Sequence, residues 1–249
     1  MFNGHSWAEV YNAVELLQAA PLTIDSIDQY PILNPTTLNI TKAYPEFFVE
    51  IVNLTYWSGN TFYIDEKIWR PMWMRTPFIV RTEDGIDLVG EIARPIEKST
   101  GAILMLHPLP TAGGMMDSHL YKKAANRLPA MSNITVVRFN TRGTTSEAGS
   151  STGDFDNGIA ERFDVEAMLS YCFDTLKLEN LWVTGWSFGT DLALQHAKDP
   201  RHKGLILLSP PLRTTTNEQL DYWNTDPRPI TALVPELDDY LKPDAAQKR

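Results

Sequence analysis

The order of hydrophobic and polar residues follows two successive patterns along the chain from residue 78 onwards. Phe78–Thr82 and Ile86–Ile92 flank Glu83-Asp84-Gly85, and this arrangement predicts an antiparallel hairpin with a glycine in its turn. After the hairpin, short continuous apolar runs alternate with longer stretches of helical spacing. This order predicts an α/β fold, a mostly parallel sheet with helices on both faces. The strands are expected at Ala102–Leu106, Ile134–Phe139, Leu181–Thr184, Gly204–Leu208 and Ile230–Val234, and the helices at Ser118–Leu128, Ala160–Leu176 and Asp191–Ala197.

Residues 1–70 differ in character from the rest of the chain. They carry three basic and eight acidic residues, are rich in aromatic side chains and contain only two glycines. Helical spacing after Ser6, a residue type that favours the N-cap, predicts a mixed or helical segment whose first helix ends at Pro21. Its role stays open between a lid, a small subdomain and a partner surface, and residues 71–249 are expected to form the main domain.

Composition narrows the classes of function. With 22 basic against 31 acidic residues the net charge is −9, so nucleic acid, which needs a concentrated basic face, is not an expected partner. The single cysteine, Cys172, excludes an internal disulfide, and the histidine spacing suits no zinc site, so neither a metal nor a cofactor is expected. No apolar run reaches the ~18 residues of a membrane span and the N-terminus has no basic leader, which predicts a cytoplasmic protein without a membrane span.

A short glycine-bounded motif carries the clearest chemical signal. The predicted strand Leu181–Thr184 runs directly into Gly185-Trp186-Ser187-Phe188-Gly189, and a predicted helix follows. This is the context of a nucleophile elbow, a tight strand-to-helix turn that lifts a serine hydroxyl above the sheet edge. Small residues are needed at both ends because larger side chains would collide in the turn. Ser187 is therefore the candidate nucleophile, and a helix N-cap serine after a glycine-bounded loop is the structural alternative.

The loop after Ala102–Leu106 provides a second element at the same sheet edge. It reads His107-Pro108-Leu109-Pro110-Thr111-Ala112-Gly113-Gly114, and ligands bind at the carboxyl ends of parallel strands. Acyl transfer needs two backbone N–H groups aimed at the developing oxyanion. Phe188 supplies one of them, and Leu109 is the expected second because the neighbouring prolines have no N–H. A rigid turn with a packed His107 is the alternative interpretation.

Together these motifs resemble the α/β-hydrolase superfamily, most of all its compact bacterial members of the dienelactone-hydrolase and serine-aminopeptidase type. The resemblance covers about residues 72–249. It implies Ser187 as nucleophile, the Leu109 and Phe188 amides as the oxyanion hole, and an acid after the strand Ile230–Val234, with Asp238 preferred over Asp239. The residues that carry it are His107-Pro108-Leu109-Pro110 with Gly113-Gly114, Arg138-Phe139-Asn140-Thr141-Arg142-Gly143, the Ser187 motif, and Ser209-Pro210-Pro211.

The general base is missing from the place where this resemblance puts it. In the family the histidine follows the acid, but none of the residues after Asp239 is a histidine, so the resemblance implies a hydrolase fold that is incomplete at its C-terminus. Three explanations stay open: a piece of a longer hydrolase, a fold that has lost its chemistry, or a base borrowed from another subunit, for instance in a homodimer. Of the five histidines, only His107 lies near the right sheet edge.

The leading hypothesis is a serine hydrolase that cleaves a small-molecule ester, thioester or amide through an acyl-enzyme on Ser187. The alternative is a catalytically inactive binding module of the same fold, in which residues 1–70 face the partner. Arg138 and Arg142 are expected to form salt bridges rather than to bind substrate.

Overall fold

A computed structural model describes residues 57–58, 61–62, 73–238 and 240–248. The chain divides into two units at Met72. In the first unit, the described residues are those of β1 (Trp57–Ser58) and β2 (Thr61–Phe62), an antiparallel pair. The helix predicted after Ser6 lies outside the described residues, and the roles considered for residues 1–70 stay predictions.

The second unit, residues 73–249, is built on a seven-stranded sheet. Its strand order is β11-β10-β9-β5-β6-β4-β3, and a separate two-stranded ribbon is formed by β7 and β8. The strands are β3 (Trp73–Arg81), β4 (Asp87–Pro95), β5 (Gly101–Leu106), β6 (Ile134–Phe139), β7 (Thr145–Ser146), β8 (Gly149–Ser150), β9 (Leu181–Trp186), β10 (Leu205–Leu208) and β11 (Ile230–Leu233). The helices are α1 (His119–Ser132), α2 (Glu161–Ser170), α3 (Phe188–His196), α4 (Asn217–Thr225) and α5 (Pro243–Ala246), with a 3-10 turn at Pro110–Ala112 and a π-helical turn at Tyr171–Thr175.

The hairpin and the parallel strands are confirmed. β3 pairs antiparallel with β4, and Gly85 in the turn between them has φ of +86°, a conformation that glycine adopts without strain. β4 also pairs antiparallel with β6, whereas β6, β5, β9, β10 and β11 run parallel to one another. The carboxyl ends of these five strands therefore meet at one edge, where the elbow and the loop after β5 were expected.

Alternating side chains of the sheet bury two apolar layers. Leu104 and Leu106 of β5 belong to the larger core, which includes Val165 of α2 and Leu192 of α3. On the opposite face Met105 packs with residues of α1 in a smaller core. Helices thus cover both faces, as the continuous apolar strands predicted. Edge strand β11 differs, because its four residues are all exposed.

Several element boundaries differ from the sequence expectations. The helix expected over Ala160–Leu176 ends as an α-helix at Ser170 and continues as the π-helical turn. Helix α4 was not predicted, although a capping box of Thr216 and Gln219 begins it and Trp223 buries itself against the core. Within the described ranges, no helix combines the length and apolarity needed to cross a bilayer.

Candidate active site

Ser187 occupies a strained backbone position between β9 and α3. Its φ of 50° and ψ of −119° lie in a backbone region that residues other than glycine rarely adopt. The surrounding backbone holds this geometry, since the Ser187 N–H donates to the Leu208 carbonyl at 2.9 Å. In return the Ser187 carbonyl accepts the Thr190 N–H at 2.8 Å and the Thr190 hydroxyl at 2.6 Å. Ser187 does not act as a conventional N-cap, because its side chain makes no hydrogen bond to the first turn of α3.

Close backbone packing requires both glycines of this motif. A Cβ at Gly189 would overlap the carbonyl oxygen of Leu106, the last residue of β5. A Cβ at Gly185 would in turn overlap the carbonyl of Gly189. The first turn of α3 therefore lies directly against the end of β5, which brings the loop that follows β5 beside the elbow.

Two backbone N–H groups of these adjoining segments have no acceptor among the described residues, which leaves them able to donate to a bound group. Phe188 is the first residue of α3, so its N–H has no acceptor within the helix. The Leu109 carbonyl accepts the N–H groups of Ala112 at 3.0 Å and Gly114 at 2.9 Å, which closes the loop into a tight turn. For the Leu109 N–H itself, the described part of the chain provides no acceptor.

Asp238 lies two strands beyond the elbow, in the turn that follows β11, because β10 stands between β9 and β11. Its Oδ1 accepts the N–H groups of Tyr240 at 2.8 Å and Leu241 at 3.1 Å. Burial opposes ionisation of this carboxyl, but those two N–H groups, a hydrogen bond from Ser209 and the charge of Lys242 hold the pKa of Asp238 below its ordinary value. Asp238 is thus a carboxylate that favours the ionised form, at the same edge of the sheet as Ser187. Asp239, the second choice from the sequence, lies outside the described residues.

Ser209 contacts Asp238, and the sequence did not predict this contact. It follows β10, has φ of 47°, and its N–H donates to the Leu233 carbonyl at 2.8 Å. Since Leu208, its neighbour, accepts the Ser187 N–H, Ser209 stands between the elbow and the turn that carries Asp238. In the sequence, Ser209 belongs to Ser209-Pro210-Pro211, which carries part of the resemblance, but it was given no role there.

Four of the five histidines lie among the described residues, and three bond a ring nitrogen to a backbone carbonyl. His107 contacts the Pro108 oxygen, His196 the Gly158 oxygen and His202 the Ala197 oxygen, each at 2.7 Å. His119 is exposed and its ring packs edge-on against Trp186, 5.4 Å between centroids. His5 lies outside the described residues. None of the four described histidines thus forms a hydrogen bond with Ser187 or Asp238.

The arginine near the end of β6 and the arginine just after it both form salt bridges, as expected. Arg138 is buried and pairs with Glu91 at 2.8 Å and Asp117 at 2.7 Å. Arg142 pairs with Asp84 and Asp164, each at 2.8 Å. These pairs tie the end of β6 to the hairpin and to α2, and leave neither guanidinium free for a substrate.

Solved structures share the fold of this chain. An α/β serine hydrolase homologue from Coxiella burnetii aligns with a TM-score of 0.59 and 25% identity, over 70% of this chain and 79% of its own. A lidless α/β serine hydrolase from Xanthomonas campestris aligns with a TM-score of 0.58 and 24% identity, over 70% and 77%. The chain belongs to the α/β-hydrolase superfamily. The Pyrococcus furiosus esterase Pf2001 shares the fold at 18% identity, with a TM-score of 0.59 over 72% of this chain and 79% of the esterase.

Sequence comparison adds one curated relative. No family model matches the chain. The uncharacterized protein RP471 of Rickettsia prowazekii (strain Madrid E) is 29% identical over 147 residues, which is 58% of this chain. The chain spans 59% of that relative's length.

Proposed function

We propose that residues 73–249 carry the acyl-enzyme site of a serine hydrolase that cleaves an ester, thioester or amide. The observation that carries the proposal is the strained backbone of Ser187 at the start of α3, packed against the loop that holds the unpaired Leu109 N–H. Strain of this kind persists where the surrounding structure imposes it, and it is concentrated at functional sites.

The proposed chemistry follows from the groups at this edge. The Ser187 Oγ attacks the substrate carbonyl carbon, the carbonyl oxygen becomes an anion, and the Leu109 and Phe188 N–H groups donate to that anion. The positive end of the α3 dipole adds to its stabilisation. A general base takes the proton of the Ser187 hydroxyl during the attack and gives it to the leaving group. Collapse of the tetrahedral intermediate then expels the alcohol, thiol or amine and leaves an ester on Ser187, which water hydrolyses with the same base.

The base is the part of the mechanism that the described residues do not supply. Asp238 has the charge and position to orient a histidine, as an acid does in Ser-His-Asp sites. We assign the base to a histidine outside the described residues or on a second chain. This assignment makes the site dependent on a group that must enter between Asp238 and Ser187.

Small acyl compounds with an apolar portion are the proposed substrates. Phe155 packs edge-on against Phe188, 5.4 Å between ring centroids, and Leu109 is partly buried against the same core. Apolar side chains therefore adjoin both proposed oxyanion donors, and apolar surface of this kind binds a hydrocarbon chain by excluding water.

An activity-based fluorophosphonate probe tests the proposal. We expect it to label Ser187 in the intact protein, and Ser187→Ala to abolish the labelling. Ser170→Ala, which removes an exposed hydroxyl at the end of α2, is the matched control and should leave the rate unchanged. If free imidazole accelerates the labelling, the nucleophile and oxyanion hole are assembled and only the base is absent from the sample.

A non-catalytic binding module is the second candidate, and the positions of the described histidines favour it. A folded protein that stays unlabelled with and without imidazole would support this candidate and reject the hydrolase. Deletion of residues 1–70 should then remove a partner interaction that Ser187→Ala leaves intact.

A further inference from the structure

His107 is a buried residue whose two ring nitrogens are both engaged at the catalytic edge. It follows β5 directly and has no exposed surface. Its Nδ1 lies 2.7 Å from the carbonyl oxygen of Pro108. On the other side of the ring, Nε2 lies 3.0 Å from the Thr141 N–H and 3.1 Å from the Thr141 hydroxyl. The imidazole thus bridges the proposed oxyanion loop and the end of β6.

These partners determine which nitrogen carries the proton. A backbone N–H can only donate, so Nε2 must be the unprotonated acceptor for Thr141. The single proton of a neutral imidazole is therefore on Nδ1, which donates to the Pro108 carbonyl. Burial lowers the pKa of His107 to about 4, although the Pro108 carbonyl opposes this shift, and the ring stays neutral at physiological pH.

Holding the Pro108 carbonyl also sets the direction of the next N–H. The peptide between Pro108 and Leu109 is planar and trans, so its C=O and N–H point to opposite sides. A carbonyl directed towards His107 therefore directs the Leu109 N–H away from the ring. Gly114 lies close against the same oxygen, since a Cβ at Gly114 would overlap it.

Few other N–H groups of this loop could replace that of Leu109. Pro108 and Pro110 lack N–H groups, and the N–H groups of Ala112, Gly113 and Gly114 all donate to carbonyls within the loop. The Thr111 N–H also has no acceptor among the described residues, but it lies inside the 3-10 turn, beyond Pro110. If the peptide between Pro108 and Leu109 rotated, the second proposed donor would be lost.

We propose that His107 is a positioning residue of the oxyanion hole, whose Nδ1–H holds the Pro108 carbonyl so that the Leu109 N–H points at the reacting carbonyl oxygen. The inference rests on the proposed function and adds a residue that does not itself touch the substrate. It also explains a buried histidine that cannot act as the base, since neither ring nitrogen is free.

Two substitutions separate the two hydrogen bonds of the ring. Asparagine places its amide nitrogen as many bonds from Cα as Nδ1, so His107→Asn keeps a donor for Pro108 and loses the acceptor for Thr141. Glutamine places its amide oxygen as many bonds from Cα as Nε2, so His107→Gln keeps the acceptor for Thr141 and loses the donor for Pro108. A role limited to structural support predicts that labelling falls in both variants in proportion to their loss of stability.

The readouts are the rate of phosphonylation of Ser187, the NMR shifts of the Pro108 carbonyl carbon and the Leu109 amide proton, and the urea midpoint. We expect His107→Asn to label within about threefold of the unmodified protein with unchanged shifts. His107→Gln should label at least about tenfold more slowly with both shifts displaced, because removing an oxyanion donor outright costs about 10²- to 10³-fold. If His107→Gln does not fold, Gly114→Ala displaces the same carbonyl and should give the same result.

The outcomes separate this inference from the proposed function. Equal slowing in the two His107 variants, matched to their urea midpoints, would overturn the positioning role while leaving the hydrolase intact. If the unmodified protein is never labelled, the hydrolase proposal fails, and the NMR shifts alone decide whether His107 orients the peptide. Shifts in His107→Gln that equal those of the unmodified protein would overturn the inference in either case.

Discussion

Acid should weaken this fold through one buried side chain, His107. Burial lowers its pKa from 6.5 to about 4. Between these pH values the imidazole is therefore protonated in the unfolded chain and neutral in the folded chain. The difference is 2.5 pKa units, or about 3.4 kcal/mol at about 1.36 kcal/mol per unit. The sign follows directly. Above pH 6.5 this contribution to the free energy of unfolding is fully present, and it is lost progressively as the pH falls to 4. At pH 4.5 the loss amounts to about 2.5 kcal/mol.

The assay compares the unmodified protein with His107→Asn, which cannot titrate at this position. Urea unfolding is followed from pH 8 to pH 4.5 by hydrogen exchange of the buried β5 and β6 amides, so that only the unit containing His107 is scored. The variant should be less stable at pH 8, because the Thr141 N–H loses its acceptor, and this gap should shrink by about 2.5 kcal/mol at pH 4.5. His119→Asn is the control for the same substitution at an exposed site. A gap between the unmodified protein and His107→Asn that stays constant to within about 0.5 kcal/mol over the same range refutes the reasoning.

Three further substitutions test the packing around the site. Gly189→Ala should destabilise the protein by about 1–3 kcal/mol in thermal melting and strongly slow Ser187 labelling, because its methyl group meets the carbonyl at the end of β5. Trp223→Phe removes an N–H bond of 2.8 Å to the α3 backbone and should lower the free energy of unfolding by about 1 kcal/mol, and an unchanged urea midpoint would contradict that bond. Arg142→Ala leaves the buried Asp164 carboxylate without its partner and should cost about 3–5 kcal/mol, much of which the double variant with Asp164→Asn should recover.

Local sequence signals predicted most of the secondary structure for identifiable reasons. The glycine at residue 85 supplied the turn of the hairpin, and the continuous apolar run Ile134–Phe139 matches β6 at both ends. Helix α4 was missed because it has few apolar positions, and its anchor, Trp223, is buried only through contact with another helix. The change from an α-helix to a π-helical turn at Tyr171 left no trace in the hydrophobic spacing.

Some features of the candidate site could likewise be predicted from the sequence, and others required the structure. The elbow around Ser187 could be found from five consecutive residues, because the strain of a tight turn and its need for small neighbours are local properties. The resemblance placed Asp238, but its contact with Ser209 emerged only from the order of the strands. The sequence also showed no histidine after the expected acid. In the structure the described histidines contact other groups, so none of them is assigned as the base.

By itself, then, the amino-acid sequence determined which chemistry this edge of the sheet can offer: a strained serine, a proline-flanked amide and an acid. Only the tertiary structure decided how those groups are aimed. His107 meets Thr141 across 34 residues, and Gly189 meets the end of β5, because the sheet places β9, β5 and β6 side by side. A hydrogen bond between residues distant in sequence forms only after strand order has brought them together, so no local pattern can specify the direction of the peptide between Pro108 and Leu109.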